Sequence, residues 1–217
     1  MKTILKIGFL LLGSNLFMGC AAFYYPEIGV TCPSTHTSSS YSNPDPDPDP
    51  DVGIKKAVNN TTDSETFLSY RVGVAANVPI NEKFAFETGV HLAGKGNKTK
   101  SPNIEDKLNL TYIDVPLTVR YKIGSNNFSI YGGLQPSLLV NAKRKLNVNG
   151  MEDSQKITGA YKTLDMAASL GAGCQFNNGI RLNIGYDHGF VNINDFGGFK
   201  AYNRMFRFTV GYQFGKN

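Results

Sequence analysis

The residues able to do acid–base, nucleophilic or metal chemistry are few and scattered along the chain. The three histidines, His36, His91 and His188, form no H-x-x-x-H pair or similar metal-binding spacing. Asp187 stands beside His188, but adjacent residues of a strand point to opposite faces, so they cannot work as an acid–base pair. The G-x-S-x-G nucleophile motif and the phosphate-binding P-loop are both absent. We therefore expect no catalytic residue, no cofactor and no metal, and a protein that is not an enzyme.

Charged residues recur instead within segments that alternate between apolar and polar side chains. Residues 113–123 alternate without interruption, and so do residues 205–214. A period of two predicts a strand with one apolar and one polar face. In a transmembrane barrel the apolar row, such as Val115, Leu117 and Val119, faces lipid, and the polar row lines the lumen. The phase of the strands places seven charged residues in the lumen: Arg71, Glu87, Asp114, Arg120, Arg181, Asp187 and Arg207.

These seven residues include acids and bases on separate strands. Side chains alone fill the interior of an eight-stranded barrel. Because buried charges are costly unless they are paired, we expect the seven to form a paired polar plug. The alternative is a selective pore or a ligand site.

The alternating segments resemble a known family of membrane proteins. The similar stretches are Y-I-D-V-P-L-T-V-R-Y, L-D-M-A-A-S-L-G-A-G-C-Q-F, L-N-I-G-Y-D-H-G-F-V-N-I and Y-N-R-M-F-R-F-T-V-G-Y-Q-F. They resemble the PorT-like family of eight-stranded outer-membrane β-barrels, of the OmpA/OmpX type, over roughly residues 52–214. The resemblance implies a barrel in the bacterial outer membrane and allows a role in envelope or secretion machinery. It implies no particular chemistry.

The connections divide the alternating region into strands. Tight turns face the periplasm in outer-membrane barrels, so both termini lie there and the strand number is even. This parity adds V-G-I-K-K-A-V as a weak first strand. We predict an all-β fold, an eight-stranded antiparallel up-and-down transmembrane barrel, with strands near residues 52–58, 67–79, 84–93, 108–123, 128–140, 161–176, 180–191 and 203–214.

The chain opens with a segment typical of export. Lys2 and Lys6 precede an apolar run that ends in small residues, which predicts a secretory signal over residues 1–22. The stretch L-F-M-G-C resembles a lipobox. The alternative is therefore a lipoprotein signal over residues 1–19, with a lipid anchor on Cys20.

Residues 23–51 have a different composition, with a Ser/Thr-rich stretch followed by an Asp-Pro repeat. Such a segment cannot form a core, so we predict a disordered periplasmic leader that precedes a barrel over residues 52–217. Residues 1–22 carry two of the 22 basic residues and none of the 17 acidic ones, which leaves 20 against 17, or +3. This small surplus does not suggest a nucleic-acid partner.

The expected partners are outer-membrane lipid, the barrel-assembly machinery and an unknown protein. The last strand carries the aromatic row that resembles the terminal assembly signal: Phe206, Phe208, Tyr212 and Phe214. The protein is expected to be a monomer with a structural or interaction role. Its long outer loops, residues 94–107 and 141–160, or its leader would hold the protein partner.

Three alternatives accompany this reading. The loop cations Lys95, Lys98 and Lys100, with those of residues 143–145, are either solvated or in contact with anionic lipid phosphates. The barrel could also be a narrow channel or a binder of a small or hydrophobic solute. A soluble lipocalin-like barrel would have an apolar lumen and a polar exterior.

Overall fold

The computed structural model describes residues 22–38, 67–124, 127–195 and 199–214. The predicted signal sequence, the lipid anchor Cys20, the Asp-Pro repeat and the predicted strand at 52–58 lie outside the described residues. No helix among the described residues is long and apolar enough to cross a membrane.

Ten strands make up one antiparallel sheet within the described ranges. A short 3-10 helix, Thr158–Ala160, follows the seventh strand. The strands are β1 Phe23–Ser38, β2 Ser69–Pro79, β3 Phe84–Ser101, β4 Ile104–Asp114, β5 Leu117–Lys122, β6 Phe128–Val148, β7 Met151–Lys156, β8 Leu164–Gln175, β9 Ile180–Gly189 and β10 Lys200–Tyr212.

The sheet closes into a ring because β1 pairs with both β2 and β10. β4 and β5 both lie between β3 and β6, so together they fill one position of the ring. The ring therefore has eight positions, which confirms the predicted eight-stranded up-and-down barrel. β7 pairs with β6 alone and lies beyond the ring.

The predicted continuous strand at 108–123 is interrupted at Val115–Pro116. Proline has no N–H to donate to a ladder, and the two strand segments end on either side of it. The amide of Val115 still donates to the carbonyl of Pro136 at 2.9 Å, so the chain stays on the same path. The residues on the two sides therefore keep the alternation that the sequence shows.

The prediction of a disordered leader was wrong for residues 23–38, which form β1. Tyr25, Glu27 and Thr31 are buried in the lumen, whereas Ile28 and Val30 face outward. Prolines and a Ser/Thr-rich end hide this alternation in the sequence. Antiparallel pairing with β2 on one side and β10 on the other satisfies the backbone hydrogen bonds of these residues. The composition of the segment gives no sign of this pairing.

The predicted long loops at 94–107 and 141–160 are mostly strand. β3 and β4 meet at a turn of residues 102–103, and β6 and β7 meet at Asn149–Gly150. The φ angles of Asn149 and Gly150 are 52° and 86°, as a two-residue type I′ hairpin turn requires. Beyond Ala93 of β3 and Leu138 of β6, the strands β3, β4, β6 and β7 pair only with one another. We call this extension, residues 94–110 and 141–156, the outer ribbon.

The two ends of the barrel differ. Short turns at residues 80–83 and 177–179 lie at the same end as the start of β1 and the end of β10, and so do the end of β5 and the start of β6. The hairpin turns at 102–103 and 149–150 lie at the opposite end. We refer to these as the short-turn end and the hairpin end.

Apolar side chains face outward and polar ones face inward. Leu117 is 41% exposed, whereas the neighbouring Thr118 is 1% exposed. Phe206 is 61% exposed, and Arg207 is 7% exposed. This distribution is typical of barrels that face lipid and is the reverse of a lipocalin, so the soluble alternative was wrong.

Placing a charge on the outward row should destabilise the barrel. Leu117 lies near the middle of the apolar band, so Leu117→Arg should lower the free energy of unfolding by about 2–4 kcal/mol in lipid vesicles. Met151→Arg, at the exposed hairpin tip, serves as the control and should change it by less than about 1 kcal/mol. Urea titration of vesicle-embedded protein measures both. Equal effects at the two sites would contradict the outward assignment of Leu117.

Candidate functional site: the charged lumen and the outer mouth

A first group of charges lies toward the short-turn end of the lumen, on β3, β5 and β9. Arg120 donates to Glu87 through Nε at 2.8 Å and through Nη2 at 3.1 Å. Arg181 Nη2 lies 3.1 Å from the same carboxylate. Its guanidinium also stacks on the ring of Tyr25, 4.7 Å from the centroid. We call Glu87, Arg120 and Arg181 the lower charge layer.

A second group of charges crosses the lumen above the first. Arg71 Nη1 donates to Asp114 at 2.7 Å, and Arg207 forms an ion pair with Asp187. The amide of Gln135 joins the two pairs, because its Nε2 donates to Asp114 at 3.2 Å and to Asp187 at 3.3 Å. Its Oε1 accepts from Arg71 at 3.4 Å and Arg207 at 3.5 Å. We call these five residues the upper charge layer.

Tyr131 on β6 lies between the two layers. Its ring faces the guanidinium of Arg120 at 4.5 Å and that of Arg207 at 5.5 Å. The adjacent inward positions of β8 and β9 are Gly171 and Gly185, which pair directly in the sheet. A Cβ at Gly185 would lie 2.6 Å from the Tyr131 hydroxyl, and a Cβ at Gly171 would collide with the same ring. The glycines therefore provide the space that Tyr131 occupies.

The structure thus places all seven sequence-predicted charges inside the barrel, in two connected layers. It also places there charged residues that the sequence reasoning missed. Lys95 lies 3.2 Å from Asp114 and 3.5 Å from Asp165, and is not a solvated loop residue. Glu27 lies 3.8 Å from Arg71 and 3.5 Å from His91. Lys95 lies an even number of residues from the inward Glu87 and His91, and Asp165 lies an even number from the inward Ser169. This alternation is the sequence signal that could have identified both as lumen residues.

The charges of the described lumen balance. The buried set contains five basic and five acidic residues, together with His91. Each is largely withdrawn from water, so partners on other strands must compensate its lost hydration. The basic residues are Arg71, Lys95, Arg120, Arg181 and Arg207, and the acidic ones are Glu27, Glu87, Asp114, Asp165 and Asp187.

Little space remains between the two layers. The cavity bordered by Glu27, Arg71, Glu87 and Arg207 measures about 20 Å³, which is close to the volume needed by a single water molecule. Toward the hairpin end, an apolar cluster packs across the barrel above the charges. Its members are Leu110, Tyr112, Leu139, Ala142, Ile193 and Ala201.

A larger cavity of about 500 Å³ lies above this cluster, at the mouth beside the outer ribbon. Its lining combines apolar groups, such as Leu108 and Ile157, with the ion pair of Arg144 and Asp106. Arg144 Nε donates to both carboxylate oxygens of Asp106 at 3.0 Å, and this hydrogen bonding raises the pKa of Arg144. The cavity is large enough for a small molecule, so it is the place that a solute-binding function would use.

The remaining predicted residues lie elsewhere on the surface. The aromatic row of the last strand faces outward. Cys32 and Cys174 are free thiols on different strands. Among the described residues, no group of three or more His, Cys, Asp or Glu side chains is arranged to hold a metal ion.

Breaking one charge pair of the upper layer should be far more costly than removing both partners. Asp187→Leu leaves Arg207 without its carboxylate and should lower the free energy of unfolding by about 3–5 kcal/mol. Adding Arg207→Met should recover part of this loss, because no buried charge is then left unpaired. Arg144→Gln removes an exposed pair and should cost no more than about 1 kcal/mol. Additive effects in the Asp187/Arg207 urea-unfolding cycle would show that the two charges do not depend on each other.

Comparison with known proteins gives one family match and several matches to solved structures. The sequence profile described as "Outer membrane protein beta-barrel domain" matches residues 28–195. No curated protein matches the chain. The attachment invasion locus protein Ail of Yersinia pestis is 14% identical, with a TM-score of 0.46 over 89% of this chain and 99% of that one.

Two further solved structures show similar values. Neisserial surface protein A is 14% identical, with a TM-score of 0.46 over 88% of this chain and 97% of that chain. The outer membrane protein OprG of Pseudomonas aeruginosa is 14% identical, with a TM-score of 0.42 over 90% of this chain and 97% of that chain.

Proposed function

Because the chain belongs to the outer membrane protein beta-barrel domain family, we propose that it is a closed, non-enzymatic outer-membrane barrel that acts through its outer ribbon. The protein lies in the bacterial outer membrane, with the short-turn end in the periplasm and the hairpin end outside. The proposal includes membership of the narrower PorT-like family and a role in envelope or secretion machinery. It also includes recognition of the last strand by the barrel-assembly machinery and a monomeric state.

The balanced charge network in the lumen is the observation that carries the proposal. Aqueous channels occur in barrels of about sixteen strands or more, whereas eight strands leave room only for side chains. Here that room holds five cations and five anions, and the free space between the two charge layers is only about 20 Å³. A pore selective for ions of one sign needs an excess of the opposite charge, and these residues provide none.

The outer ribbon is suited to binding because its shape is fixed before a partner arrives. Four strands hold one another in register from Leu110 of β4 to the tip at Met151. A surface already ordered loses less conformational entropy on binding than a flexible loop does. β7 also forms an edge with exposed side chains throughout, and such an edge can pair with a strand of another protein. The alternative of a solute binder would use the outer-mouth cavity instead of the lumen.

A planar-bilayer experiment tests the closed lumen. The wild-type protein should show no steady conductance. A variant with alanine at all five positions of the upper charge layer removes two cations and two anions, so it stays balanced while its lumen widens. Heat-modifiable migration checks that this variant folds. It should then conduct, which also shows that the protein inserts into the planar bilayer. Steady wild-type channels that vanish on Arg120→Ala would overturn the proposal in favour of a pore.

Site-specific photocrosslinking tests the role of the ribbon. A crosslinking amino acid at Met151, on the ribbon tip, should capture a discrete protein partner in intact cells. The matched control is Ile80, which is equally a turn-proximal, exposed apolar residue but lies at the periplasmic end. Replacing residues 144–155 by Asn-Gly joins the directly opposed Lys143 and Lys156 by a two-residue turn and should abolish the partner's association. Capture at Ile80 alone would place the interaction in the periplasm.

A further inference from the structure

The outer ribbon has two faces of different charge. Side chains that pair across an antiparallel sheet share a face, and Lys98 pairs with Lys107, which pairs with Lys145. Lys143 pairs with Lys156 in the same way. The face that contains them is the continuation of the outward rows of the barrel. We call it the lysine face, and its charged members are Lys98, Lys100, Lys107, Lys143, Lys145, Lys156, Glu105 and Glu152.

The opposite face, which borders the outer-mouth cavity, carries Arg144, Asp106 and Asp153. Together with Lys95, which lies on the same face but points into the lumen, this face has two bases and two acids, or a net charge of 0, whereas the lysine face has six bases and two acids, or +4. If both faces met only water, there would be no physical reason for the net positive charge to lie on one face. The separation indicates that the lysine face meets an anionic environment.

The described residues also supply too few acidic partners for these lysines. Lys98 pairs with Glu105 at 3.0 Å, and Lys107 stacks on the ring of Phe67 at 4.8 Å. Among the described residues, Lys143, Lys145 and Lys156 form no ion pair. Like charges directly opposite each other across strands repel, so external anions would stabilise this arrangement.

The position of the lysine face identifies the anion. Val140 is the last outward apolar residue of β6, and Lys143 and Lys145 follow it by three and five residues. With about 3.3 Å per residue and a strand tilt of about 40°, these lysines stand roughly 8 and 13 Å beyond Val140. The headgroup layer of a bilayer begins at the hydrocarbon boundary and is about 5–8 Å thick on each side. Long lysine side chains can reach back into it.

The outward basic residues at this end of the barrel are densest on the ribbon. On the adjoining strands β1 and β2, the outward residues toward the same end are Ser34, His36, Leu68 and Tyr70. None of them carries a fixed charge. On β10, the other neighbour of β1, the outward residues toward this end include Lys200 and Arg204. The lysine face, with six lysines on β3, β4, β6 and β7, is therefore the densest part of a basic rim.

We propose that the lysine face binds the phosphate groups of anionic lipids in the outer leaflet that surrounds the barrel. The ribbon then leans on the membrane surface through this face, and its other face stays turned toward the mouth. This contact is with lipid and stands apart from the protein partner proposed above.

Electron spin resonance of spin-labelled lipids tests the proposal on the purified chain in phosphatidylcholine vesicles. The wild type should select labelled phosphatidic acid over labelled phosphatidylcholine severalfold, and less so at high salt. The triple variant Lys143→Gln/Lys145→Gln/Lys156→Gln should lose most of this preference. Lys145→Gln should lose part of it. Arg144→Gln, the adjacent residue on the opposite face, removes the same charge and should retain it.

All three variants alter exposed side chains, and heat-modifiable migration checks that each remains folded. An unchanged preference in the triple variant would overturn the proposal, as would equal losses from Lys145→Gln and Arg144→Gln. Binding of soluble polyphosphate that depends on the three lysines, with a lipid preference that does not, would also overturn it in favour of a soluble anion. Because conductance and crosslinking at Met151 are measured separately, this result is distinguishable from failure of the proposed function.

Discussion

The structure depends on one constraint, which is that a ring of eight strands encloses too little space for water to hydrate the charges inside it. Each inward charge must therefore find its partner on another strand. Gln135 meets this requirement between two ion pairs, since its amide donates to both carboxylates and accepts from both guanidinium groups. Asn183 similarly bridges two charges, since its amide accepts from Arg120 and donates to Glu27. The neutral lumen is a consequence of closure at this size.

Alternation along the chain was sufficient to predict the fold and much of the lumen. In residues 113–123 and 205–214 the apolar and polar rows are complete, so the inward residues could be read from the sequence. β1 could not, because Pro26, Gly29 and Pro33 break the row and its partners lie far away in the chain. Lys95 was assigned to a loop, and the glycines on either side of it leave the outward row of this part of β3 without the apolar side chains that mark a strand. Gln135 carries no charge, and its bridging role appears only when four other strands surround it.

The outer ribbon was misread for a different reason. Its strands are rich in lysine, asparagine and acidic residues, a composition that resembles a solvated loop. Strand pairing stabilises them even so, and the Asn149–Gly150 turn sets their register. The composition predicted the polarity of this region correctly, but it did not predict that the region forms strands. The separation of lysines onto one face becomes visible only once the register is known.

The paired glycines of β8 and β9 have a consequence for how this sequence can change. Tyr131 fits at the centre because positions 171 and 185 have no side chains, and it connects the two guanidinium layers through its ring. A methyl group at either position would push the ring aside and separate the layers. The centre of the barrel is thus specified by two empty positions on neighbouring strands as much as by the tyrosine itself. Change at position 185 is therefore coupled to positions 131 and 207, whereas position 171 is constrained by the backbone carbonyl of Ile184 as well as by Tyr131.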